Sequence, residues 1–161
     1  MSKRHVGLLG ATSLIGECLL KQLIQNNCHI TAFSRRPITQ SNPQITWQQL
    51  DTTNQRAGTE INTIPTWICA APIWVLPEYF DLLSISGARR IVVISSTSRF
   101  TKGTSSDHSE RKIAQQLIKG EELVQTWAAT HGVKWIILRP TLIYGYGHDK
   151  NIAEIARFIR R

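Results

Sequence analysis

The stretch Gly10-Ala11-Thr12-Ser13-Leu14-Ile15-Gly16 follows an apolar run and opens a helical pattern. A turn of small residues at that place can aim the backbone N–H groups of Thr12 to Ile15 at an anion, where a helix N-terminus adds its partial positive charge. Gly10 permits the tight turn, and Gly16, one helical turn on, lets helix and sheet approach closely. Ser13 stands where a third small-loop glycine is expected. Its hydroxyl can cap the helix by accepting an N–H two or three residues on, and it can donate to a phosphate oxygen. The alternative is a tight strand–turn–helix corner with no ligand.

A second constellation is Ser34-Arg35-Arg36. Arg35 falls about 20 residues beyond Gly16, the offset at which a dinucleotide-binding unit places the acid for a ribose hydroxyl. No Asp or Glu occurs between Cys18 and Leu50, so that acid is excluded here. A serine and two guanidinium groups suit a 2′-phosphate, because the arginine fork matches phosphate oxygens. This favours NADP over NAD; an ordinary solvated basic pair is the competing reading. Further on, Ser95-Ser96-Thr97-Ser98 forms a run of hydroxyls at a carboxyl strand end, with the satisfaction of loop backbone groups as its competing reading.

Positioning these groups requires alternating strands and helices. Short apolar runs at Val6–Leu9, His29–Ser34, Ile45–Leu50, Trp67–Ala70, Ile91–Ser95 and Trp135–Arg139 are expected as buried strands. Helical periodicity covers Leu14–Gln25, Trp74–Ser84 and Asp107–His131, and a last helix is expected from Asn151. Pro77 lies early enough to be tolerated in a first helical turn. Gly120 interrupts the long helix at a cost of about 1 kcal/mol relative to alanine. This alternation predicts an α/β fold: a doubly wound parallel sheet of about six strands with helices on both faces. Ligands then bind beyond the carboxyl ends of the strands. Besides the two constellations, those ends carry Asp51, Ala70 and Ala71, the serine run, and Pro140.

With 161 residues, 42% hydrophobic and 19% charged, the chain has the composition of one globular domain. The net charge of +8 is spread over basic pairs such as Arg89/Arg90 and Arg160/Arg161. No nucleic-acid-binding motif accompanies it, so nucleic acid is disfavoured as a partner. Cys18, Cys28 and Cys69 show no metal-ligand spacing. Cys18 and Cys69 are expected as buried thiols in a reducing compartment. With no window of about 18 apolar residues, no membrane span is expected, and the reading is cytoplasmic.

The pieces "GLLGATSLIG", "FSRRP", "LDTT", "ICAAP", "VVISSTS" and "LRPTLIYGYG", in this order and spacing, resemble the extended short-chain dehydrogenase/reductase superfamily, in particular its NAD-dependent epimerase/dehydratase-like members. The resemblance runs from about His5 to the last residue. It implies a Rossmann-like NAD(P)-binding domain. Gly10, Thr12, Ser13, Leu14, Ile15 and Gly16 would cradle the pyrophosphate, and Ser34, Arg35 and Arg36 the adenosine ribose phosphate. Asp51 would reach the adenine, Ala70 and Ala71 would lie along the cofactor, and Pro140 would lie near the nicotinamide. Ser96 or Thr97 would orient the carbonyl of a small-molecule, sugar-like substrate.

Two departures accompany the resemblance. The family's catalytic Tyr and Lys are missing: no tyrosine occurs between Phe80 and Ile143. His108 and Lys112 keep the spacing of that pair in "DHSERK", where a histidine can do general acid–base work; the competing reading is two solvated residues opening a helix. Aligned instead on "KGEEL", the chain has apolar or small residues at both positions. The family also continues past the sixth strand to build a substrate lobe, whereas this sequence ends at "IARFIRR". A truncated single domain, 1–161, is therefore expected. Its C-terminal apolar face, Ile152, Ile155 and Ile159, is open to self-association. Two activities follow as expectations: hydride transfer between NADP and a carbonyl or alcohol, or a non-catalytic nucleotide-binding regulatory module.

Overall fold

The computed structural model describes residues 4–50, 63–141 and 143. Asp51 and the expected C-terminal helix lie outside them. Six strands, β1 His5–Leu9, β2 His29–Ser34, β3 Ile45–Gln49, β4 Thr66–Cys69, β5 Arg90–Ile94 and β6 Lys134–Leu138, pair in parallel. Their spatial order is β3-β2-β1-β4-β5-β6. The helices are α1 Leu14–Gln25, α2 Phe80–Ile85, α3 Ser98–Thr101 and α4 His108–Thr130. A 3-10 helix, Ile73–Tyr79, leads into α2.

Alternate side chains of each strand face opposite sides of the sheet. Val6, Leu8, Ile30 and Ala32 pack with Leu20, Leu23 and Ile24 of α1 on one face. Leu9, Phe33, Trp67, Cys69, Ile91 and Val93 pack with Ile73, Leu76, Leu83, Leu117 and Val124 on the other. Trp67 is the centre of that second layer. It is fully buried, its indole N–H donates to the Ile64 carbonyl at 2.9 Å, and its ring stacks on Phe33 at 5.2 Å. Gly7 lies beneath the ring, and a Cβ there would come within 2.7 Å of it.

Local signals explain the helix ends. Ser13 caps α1, accepting the Gly16 N–H at 3.0 Å. Asp107 caps α4, accepting the Ser109 N–H at 2.7 Å. Gly120 is buried where α4 crosses the 3-10 helix. A Cβ at that position would meet Ile73 at 3.1 Å, so close packing offsets its poor helix propensity.

Three expectations are corrected. The segment 74–84 is not one α-helix: Pro77 lacks an N–H and its ring blocks the ladder to Ile73, so α-helical bonding starts only at Phe80. Of the six strands expected to be buried, β3 at one edge has no buried residue, and at the other edge β6 is largely exposed, with Ile136 at 56%. It is an edge strand, and no described element covers its outer face. Cys18 is half-buried, whereas Cys28 and Cys69 are buried.

Candidate functional site

A cleft of about 290 Å³ opens at the carboxyl ends of β1, β2 and β4. It lies where the chain, having built β2 and β3 on one side of β1, crosses to place β4 on the other. That switch point is where open parallel sheets bind ligands. Gly10, Thr12, Ser13, Ser34, Arg35, Ala70 and Ala71 line it, seven of the residues singled out from the sequence.

Gly10 adopts φ +77°, a left-handed conformation that favours glycine. Any Cβ there would overlap the backbone of Ala70 and Ala71, so the β1 turn passes flush against the end of β4. Likewise a Cβ on Gly16 would run into the Gly10 carbonyl oxygen. The two glycines therefore hold the turn, the helix start and the β4 end together. Such a bare cradle fits a pyrophosphate.

Ser13 is already engaged. Its N–H donates to the Gly10 carbonyl at 3.0 Å, and its hydroxyl accepts from Gly16 N–H and donates to the Ala70 carbonyl at 3.4 Å. The hydroxyl expected to donate to a phosphate oxygen thus donates to the Ala70 carbonyl here. Leu14, Ile15 and Gly16 do not line the cleft. The N–H groups of Leu14 and Ile15, in the first turn of α1, are the ones that helix geometry leaves for an anion.

At the cleft's other end Ser34 is buried, and its Oγ accepts the Arg36 N–H at 3.1 Å. The serine proton remains available to donate. Arg35 lines the cleft, while Arg36 is exposed and does not. Leu50, Val75 and Tyr79 line the cleft as well. Burial and the Glu78 carboxylate raise the Tyr79 pKa, against an opposing pull from the Arg35 charge. Cys69 also lines the cleft; burial pushes its thiol up to about 12, which keeps it protonated and inert.

The residues expected to touch substrate lie elsewhere along the same sheet edge. Ser96 donates to the Ser98 hydroxyl at 3.1 Å, and the Thr97 hydroxyl donates to the Pro140 carbonyl at 3.4 Å. Both hydroxyls thus tie the β5–α3 turn, as backbone-satisfying groups do. Pro140, which follows β6, accepts from Thr97 and does not line the cleft. His108 and Lys112 are exposed on the first turns of α4, and neither lines the cleft.

The sequence reading passed over a buried charge cluster. Glu121 of α4 is fully buried. Its carboxylate accepts the Ser95 hydroxyl at 2.6 Å and the Arg139 guanidinium at 2.6–3.1 Å, and pairs with Arg99. Burial would raise its pKa, but the hydrogen bonds from Arg139 and Ser95 and the two positive charges prevail and hold it below the usual carboxylate range. A signal was present: Glu121 stands in the stripe Ala114, Leu117, Val124, Ala128, whose other members are buried. A carboxylate in an apolar stripe needs a partner. Tyr79 was also passed over, because the segment 74–84 was expected as one α-helix and no motif marks this residue.

A six-stranded parallel sheet of this order, with a glycine turn at its switch point, defines the Rossmann-type fold. Solved structures agree. The chain superimposes on MoeE5 in complex with UDP-glucose and NAD with a TM-score of 0.70 at 20% identity, covering 97% of this chain and 60% of that one. It superimposes on the UDP-glucose 4-epimerase of Thermotoga maritima with a TM-score of 0.71 at 14% identity, covering 97% and 63%. For the UDP-glucuronic acid 4-epimerase of Bacillus cereus in complex with NAD, the TM-score is 0.66 at 17% identity, covering 88% and 57%. The chain thus spans less than two thirds of the length of these proteins. No family model and no curated protein matches the sequence. Among the described residues, no helix is long and apolar enough to cross a membrane.

Proposed function

We propose that this chain binds a nicotinamide dinucleotide in the switch-point cleft, with NADP preferred over NAD. The observation that carries the reading is the cleft itself. One end is a bare glycine cradle, and the other joins Ser34 and Arg35 with no carboxylate between Cys18 and Leu50. The NAD present in MoeE5 and in the Bacillus cereus epimerase supports the nicotinamide dinucleotide. The preference for the phosphorylated form rests on Ser34 and Arg35 alone. Asp51 is proposed at the adenine and Pro140 towards the nicotinamide, as the family resemblance implies.

In the catalytic version of this reading, the cofactor exchanges hydride with a carbonyl or alcohol carbon of a sugar-like substrate. Ser96 or Thr97 orients the substrate oxygen, and His108 with Lys112 handles the proton. A second reading, a non-catalytic nucleotide-binding module, is favoured by the local engagement of both hydroxyls and by the position of His108 outside the cleft.

Calorimetric titration with NADPH and NADH, for the wild type and Arg35→Ala, tests the binding claim. The expected result is tighter binding of NADPH, weakened at least tenfold or so by the substitution while NADH is unaffected. Absence of binding by either cofactor refutes the reading. Equal affinities insensitive to Arg35 refute the NADP preference. A carbonyl-reductase screen of the wild type against His108→Ala separates the two activity readings; undetectable turnover in both selects the non-catalytic one.

A further inference from the structure

We propose that Tyr79 is a specificity-determining residue of the cleft, its phenol donating a hydrogen bond to the 2′-phosphate of the adenosine ribose opposite Arg35. The inference rests on the cofactor reading and adds a residue from a different wall. Ser34 and Arg35 reach the cleft from the end of β2, whereas Tyr79 reaches it from the last residue of the 3-10 helix after β4. Val75, earlier on that helix, and Leu50 after β3 add apolar surface to the cleft.

The chemistry of the three polar groups is one-sided. Arg35 has only donors. Ser34 has spent an acceptor lone pair on the Arg36 N–H and keeps its proton to give. Burial and the neighbouring Glu78 carboxylate keep the Tyr79 phenol protonated, although the Arg35 charge acts the other way. A ribose hydroxyl can take one donor well and has a proton of its own to place. A phosphate offers three acceptor oxygens and negative charge. It is the group that satisfies three donors, one of them cationic, with no carboxylate supplied by residues 18–50. Arg35 and Tyr79 line the same cleft of about 290 Å³, and the Arg35 charge acts on the Tyr79 phenol.

The test is titration of Tyr79→Phe with NADPH and NADH, with thermal unfolding as the control for intact packing. Removal of the hydroxyl alone is expected to weaken NADPH about tenfold, the worth of a hydrogen bond to a charged acceptor. NADH affinity and the unfolding temperature should stay unchanged. Equal weakening of both cofactors makes Tyr79 a wall of the cleft and overturns the proposal. So does an unchanged affinity for both, which leaves the dinucleotide reading standing. Failure of the wild type to bind either cofactor removes that reading and the proposal together.

Discussion

Replacing Glu121 with glutamine removes one charge and changes little in volume, yet it should be among the costliest single changes in this chain. The carboxylate is fully buried, while the side chains of Arg99 and Arg139 are 21% and 31% exposed. Glutamine retains a single acceptor oxygen for the Ser95 hydroxyl and two guanidinium groups. It also leaves two cations facing each other with no anion between them. Removing one member of a buried ion pair costs about 3–5 kcal/mol, and the partial exposure of both arginines points to the lower end, about 3 kcal/mol. For a domain of this size that is a fall of roughly 6–12 °C in Tm. Urea denaturation with an unchanged m-value is the assay. The loss should also depend on pH. The folded carboxyl titrates below its ordinary 4.5, so its stabilisation is complete above that value and disappears as pH falls through the folded pKa. The glutamine variant lacks that part of the acid sensitivity. Replacing all three charged residues by Leu and Met should cost less than Glu121→Gln alone, because no charge is then left unpaired. A loss under about 1 kcal/mol for Glu121→Gln would refute the reasoning, since that is the worth of a solvent-screened pair.

Two further outcomes follow from single contacts. Gly16→Ala drives a methyl group into the Gly10 carbonyl oxygen, so α1 must move off the turn; overpacking of this kind costs about 1–3 kcal/mol, and calorimetry should show NADPH affinity falling with it. His5 is held neutral by burial and by the His29 ring 4.8 Å away, partly offset by its hydrogen bond to the Thr63 carbonyl. With its folded pKa below 6.5, protonation favours the unfolded chain. Stability therefore falls as pH drops below 6.5, and His5→Gln should flatten that slope in denaturation curves between pH 7 and 5, numbers set by the ordinary histidine range of about 6.5.

The elements were legible because their signals are local. Apolar runs marked all six strands, and the Leu14–Gln25 periodicity matched α1 to the residue, with Ser13 as its cap. The 3-10 segment was misread because Pro77 acts through the one carbonyl it clashes with, which a periodicity scan does not weigh. The glycine turn and Arg35 were legible as a site because their offset follows from the length of one strand–helix–strand unit. Tyr79 was not, since its place in the cleft depends on how the 3-10 helix packs against α4, far away along the chain.

By itself, then, the sequence determined the class of fold, the strand positions, the helices α1 and α4, and the glycine turn between β1 and α1, all consequences of spacing within one element or between two neighbours. Tertiary structure alone decided that Ser13's hydroxyl is consumed by Gly16 and Ala70, that Arg35 and not Arg36 enters the cleft, and that Glu121 draws Ser95, Arg99 and Arg139 into one cluster. Each of those turns on which groups meet across the sheet. Spacing states what a residue can reach along its own element; burial and pairing across elements state what it has already given away.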